Sequence, residues 1–148
     1  MNSDKLTHLA LLLNRLTLGV LFVFAGIRKV FPGGGKGPWQ AMQEFAGYVA
    51  SNAPLPEALG RAYGYALPWG EILFGLLLML GFYTRLAAVV IGLMLISFML
   101  EFGIAWWPKS GPAFDKNVIY LTLAFLLAVT GGGRYALEQK FKLSRKGG

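Results

Sequence analysis

Residues 65–81 read YALPWGEILFGLLLMLG and set one carboxylate, Glu71, near the start of a run otherwise suited to hydrocarbon. A charge in an apolar medium is costly unless it is neutralised or paired, so this stretch asks for a partner elsewhere in the chain. Apolar runs of similar length recur on both sides of it. Blocks at residues 9–31, 62–84, 86–107 and 117–133 are separated by short polar or Gly/Pro-rich pieces. Each approaches the roughly 17 to 25 residues that a bilayer helix needs. The 148 residues are 55% hydrophobic, with a mean hydropathy of +0.54, a composition that favours lipid as the solvent over water. The expected fold is all-α: an antiparallel four-transmembrane-helix bundle, one domain over residues 1–148, embedded in the lipid bilayer.

Lysine and arginine placement gives an expected orientation. Four spans put both termini on one side, with Lys5, Arg15, Arg85, Arg134, Lys140, Lys142, Arg145 and Lys146; the other side holds Arg28, Lys29, Lys36, Arg61, Lys109 and Lys116. The excess predicts cytoplasmic termini, with Arg15 and Arg85 as cytoplasmic-side basic residues. The first block lacks a small-residue cleavage site and is expected to stay as an anchor. The net charge of +7 then speaks of membrane topology, and no recognition motif points to nucleic acid.

The residue inventory excludes much chemistry. There is no cysteine, which removes thiol relays and thiolate metal sites, and the sole histidine is His8. No haem or metal is therefore expected. In PGGGKGP, residues 32–38, Lys36 is followed by Gly37 and Pro38 where a phosphate loop needs Ser or Thr opening a helix. The stretch reads as an exit from the first helix, and TGGGRY, residues 130–135, as a helix stop. Between the first two spans, WQAMQEFAGYV sets Trp39, Met42, Phe45 and Val49 at helical spacing, the pattern of a short amphipathic helix on the outer surface. Trp69, Trp106 and Trp107 fall where interfacial indoles are common.

Within the spans, polar and small residues fall into stripes. Arg15, Gly19, Phe22, Gly26 and Lys29 share one face of the first helix, and Gly64, Pro68, Glu71 and Gly75 one face of the second. Glycines there let neighbouring helices approach closely. Pro68 is expected within the first turn or so of its span, where a missing N–H costs little. At roughly 1.5 Å per residue, Lys29 and Glu71 both reach the outer half of the bilayer. Glu101, Lys116 and Asn117 join that layer, so the candidate polar cluster comprises Arg28, Lys29, Glu71, Glu101, Lys116 and Asn117. Within it Glu71 is expected to meet Lys29 or Arg28, as a ligand site or as a structural pair fixing helix register.

Those residues resemble the DoxX-like family of small four-helix membrane proteins. The likeness lies in R-x3-G-x2-F-x3-G-x2-K from Arg15 to Lys29, P-x2-E at Pro68 and Glu71, L-G-x2-T-R from Leu80 to Arg85, and GGGRYALEQ, where Ala136 and Glu138 stand in place of the usual serine and aspartate. The resemblance implies a bacterial or archaeal cytoplasmic membrane and a link to redox or sulfur metabolism. It carries over no catalytic residue. Three classes of function stay open: a redox subunit that binds a quinone or small sulfur anion near Arg28, Lys29 and Glu71 while a partner supplies electrons; a non-catalytic accessory or assembly subunit docking another protein or its own copies; and a small transporter or proton path.

Overall fold

A computed structural model describes residues 3–102 and 116–139, without the side chains of Glu101 and Phe102. Trp106, Trp107 and the basic tail lie outside the described residues, as does the Glu101 carboxylate, so their expected places stay expectations. Among the described residues five helices run in chain order: α1 (Ser3–Val30), α2 (Pro38–Asn52), α3 (Glu57–Leu80), α4 (Thr84–Phe102) and α5 (Lys116–Thr130). No strand occurs among the described residues.

The predicted glycine stripes form the main seam. A Cβ on Gly75 would sit 2.8 Å from the Gly19 carbonyl oxygen, and one on Gly26 would sit 2.5 Å from that of Pro68. Partners descend along α3 as they ascend along α1, so the two helices are antiparallel and touch backbone to backbone. Only residues without a side chain permit that approach. Gly26→Val is accordingly expected to cost about 1 to 3 kcal/mol as an overpacked seam, read as a lower unfolding temperature in detergent. An unchanged midpoint would show that the helices can part at no cost.

Pro68 corrects one expectation. α3 begins at Glu57, ahead of the apolar block, where Glu57 accepts a hydrogen bond from Arg61 at 2.8 Å across one turn. Pro68 therefore lies in mid-helix and not in its first turn. Its ring supplies no N–H for the Gly64 carbonyl. The residue is buried on the α1 seam. At the far end Gly81 adopts φ 70°, its N–H reaching Leu78 O at 3.1 Å while Phe82 N–H reaches Leu77 O at 3.0 Å. This paired C-terminal cap needs a left-handed residue, which glycine supplies without strain. The tight turn it begins makes α3 and α4 antiparallel neighbours.

Elsewhere α5 lies antiparallel along α4, with Arg85 beside Gly131 and Gly92 beside Leu121. Helix α2 is confirmed as a helix, and its packing is tighter than a surface helix implies. A Cβ on Gly64 would sit 2.6 Å from Ala46 Cα, and Ala41, Met42, Ala46 and Val49 are buried. Trp39 departs from the predicted apolar face: it is exposed and stacks on Tyr65 with ring centroids 5.8 Å apart. Leu18, Phe22, Leu78, Ala88, Ile91, Leu95, Ala124 and Leu127 fill the centre.

The outside is as informative as the core. α1 and α3 are long and apolar enough to cross a membrane, while α4 and α5 are shorter apolar helices. Phe24, Leu73, Leu93 and Phe125 are exposed on α1, α3, α4 and α5, the last two at 61% and 70%. Arg15 and Glu71 are instead turned inward, at 2% and 1%. Apolar faces outward and charges inward is the arrangement that a lipid solvent favours.

Candidate functional site

Of the two expected partners, Lys29 and Arg28, Glu71 meets Lys29. The seam brings the α1 and α3 faces together, and Lys29 Nζ donates a hydrogen bond to Glu71 Oε1 in an ion pair. The cation also lies over the rings of Phe45, 5.3 Å from the centroid, and Phe98, 5.1 Å away. Four helices thus converge on one ammonium group: α1 carries it, α3 supplies the carboxylate, and α2 and α4 supply ring faces. The pair is unequal in its surroundings. The Lys29 side chain is 24% exposed, whereas that of Glu71 is 1% exposed and its Oε2 has no hydrogen-bond partner. Chemically the arrangement offers two spare N–H donors on the wetter side and one unfilled acceptor on the drier side.

The rest of the predicted cluster is looser. Arg28 is exposed, and its neighbour Lys29 takes the carboxylate expected for one or the other. Adjacent positions on a helix point about 100° apart, so only one of the two can face the seam. Lys116 is exposed in the first turn of α5 and Asn117 half-buried beside it. Phe45 and Phe98 were the residues that sequence reasoning missed at this site, because an aromatic residue in an apolar helix carries no sign of what it faces. Nearby in sequence, Ser97 donates to Met94 O at 2.7 Å and shares a 2.5 Å hydrogen bond with Tyr63, tying α3 to α4.

A second polar centre occupies the opposite end, about 21 Å down α1 at 1.5 Å per residue. Arg15 is almost wholly buried; its Nη1 donates to Gly132 O at 3.1 Å and its Nη2 to Tyr135 O at 3.2 Å. The Glu138 carboxylate attracts the same cation and accepts the Thr84 N–H at 3.2 Å. Glu138 N–H donates in turn to Gly81 O at 3.1 Å, and Ala136 is fully buried. Residues 131–139 therefore fold back over the α3–α4 turn, held by a guanidinium. Gly132 is required by space: a Cβ there would lie 2.5 Å from Thr84 Oγ1. Arg85, by contrast, is exposed at this end. The LGFYTR and GGGRYALEQ stretches and Arg15 are all visible in the sequence; that Arg15 joins the two stretches is not.

Apolar faces outward, inward charges and small-residue seams define a small helical membrane protein. The family described as methylamine utilisation protein MauE matches residues 7–115, well over half of the chain, and the chain belongs to that family. The family is thus MauE and not the DoxX-like one that the stripe motifs resemble; what the two readings share is a small helical membrane protein. No curated protein and no solved structure matches the chain.

Proposed function

We propose that this chain is a membrane-embedded accessory component of a redox system that uses methylamine or a related amine, working with a partner that handles the electrons. The observation that carries this reading is the family match over residues 7–115. It is supported by the residue inventory: a chain with no cysteine and a single histidine has few side chains of its own for redox work. Deleting the gene in its source organism is expected to abolish amine-dependent growth and to lower the activity of the amine-oxidising enzyme, with recovery on return of the wild-type gene. Undiminished growth of the deletion strain overturns the reading.

The proposal includes a four-span bundle in a bacterial or archaeal cytoplasmic membrane with both termini cytoplasmic. The antiparallel order of α1, α3, α4 and α5 supports it. At 15 residues, α5 is about 22 Å long, shorter than a hydrocarbon core of about 30 Å. Cysteines introduced singly as Ser110→Cys and Ser144→Cys are expected to differ on intact cells, only the first reacting with an impermeant maleimide. Equal labelling, or the reverse, rejects the orientation.

A second reading keeps a quinone at the Lys29–Glu71 site. Its support is the partial exposure of Lys29, whose spare N–H donors suit a headgroup carbonyl, between rings that suit a flat headgroup. Short-tailed quinone analogues titrated against the folded protein test it by linkage. A saturable rise in unfolding temperature, lost in Glu71→Gln, favours quinone binding; no rise leaves the accessory role alone.

A further inference from the structure

The place held by Lys29 Nζ has a chemistry of its own. A carboxylate lies at one side, and two aromatic rings from different helices present their faces. Ring faces carry the negative part of the aromatic quadrupole, so carboxylate and rings together select a cation and repel an anion. A small sulfur anion in this position would meet three negative surfaces. The carboxylate is also half used: Glu71 Oε2 is buried without a partner, while Oε1 takes one hydrogen from Lys29. A free primary ammonium carries three N–H donors and no stem tying it to α1, so it can turn to serve both oxygens. Lys29 is able to make room, since its side chain is one-quarter exposed and its four-carbon stem is flexible.

We infer that Glu71, Phe45 and Phe98 form a binding site for a small primary alkylammonium ion, with the Lys29 ammonium as a tethered occupant that the free ion displaces. The inference rests on the geometry around Nζ and goes beyond the accessory role, which can hold or fail independently of it. Binding in the wild type is weakened because the ion must first displace Lys29; apparent affinity scales with the fraction of molecules whose site is open.

The test uses full-length protein purified in detergent and isotopically labelled methylammonium in equilibrium dialysis, with sodium chloride holding ionic strength constant. The wild type is expected to bind saturably, with dimethylammonium competing and sodium not. Lys29→Ala, which removes the tethered competitor, is expected to bind on the order of tenfold more tightly or better. Glu71→Gln should lose binding and Phe98→Ala should weaken it. Where Lys29→Ala does not fold, the wild type and Phe98→Ala carry the test unaided. Absence of saturable binding in the wild type overturns the inference, and so does binding that appears only in Lys29→Ala, which would make the place a seat for the lysine alone. Equal binding by wild type and Glu71→Gln also overturns it. None of these results depends on amine-dependent growth, so failure here is distinguishable from failure of the accessory reading.

Discussion

Lys29→Met is expected to destabilise the protein by about 3 to 5 kcal/mol, the range for removing one member of a buried ion pair. The reason is what remains. Glu71 would keep its place on the α1–α3 seam, 1% exposed, with the second carboxylate oxygen now as unpartnered as the first. Glu71→Leu should cost less, because the stranded Lys29 is 24% exposed and its stem can carry the charge to water. This asymmetry distinguishes the pair from one whose two members are equally buried. The double variant Lys29→Met, Glu71→Leu should recover much of the loss, since two apolar side chains of similar size leave no charge behind. Unfolding temperatures of the four proteins in one detergent complete the cycle. Additive single effects would deny that the two groups interact.

The second large effect belongs to Arg15. Arg15→Met removes donors from two backbone carbonyls, Gly132 O and Tyr135 O, and leaves Glu138 facing an uncharged neighbour. Hydrogen bonds made by charged groups are each worth about 1.5 to 3 kcal/mol, so a loss of about 3 kcal/mol or more is expected. Arg15→Lys should not restore it. A single ammonium cannot span two carbonyls that a planar guanidinium reaches with separate nitrogens. The local consequence is release of residues 131–139 from the α3–α4 turn. Trypsin cleavage after Arg134 should then run faster in Arg15→Met under conditions where the rest of the bundle stays folded. A cleavage rate equal to that of the wild type would show that the arginine does not hold this segment.

Lys29, Glu71 and Arg15 show what a sequence carries of its own polar contacts. Lys29 and Glu71 were legible because each sits on a stripe of small residues, and a stripe of small residues predicts which faces meet; once α1 and α3 are antiparallel, the two groups fall at one level. The choice between Arg28 and Lys29 follows from the same periodicity. Arg15 was legible only as a member of its stripe. Its partners are backbone carbonyls more than a hundred residues later, at Gly132 and Tyr135 just past the end of α5, and carbonyls have no sequence signature. Pro68 was misjudged because the apolar block begins at residue 62, whereas the helix begins five residues earlier on polar residues that an i, i+4 ion pair supports. Spacing sets Trp39 on the apolar face of α2, yet it lies exposed and stacks on Tyr65 of α3, while Ala46 and Ala50 make the close approach to Gly64 and Gly60. Hydrophobic spacing identifies a face; the separation of the helices decides which residues on it fit.

As an accessory subunit the chain meets two physical demands: it travels with another polypeptide, and it carries no electron carrier itself. Native mass spectrometry of the full-length protein, extracted gently from the membrane of its source organism, measures both at once. The expected spectrum shows this chain with a second polypeptide in fixed ratio, and, after the two are separated by activation in the gas phase, a released chain that carries no bound cofactor mass. A chain that emerges alone and retains a quinone through delipidation would contradict the account and make this protein the redox subunit itself.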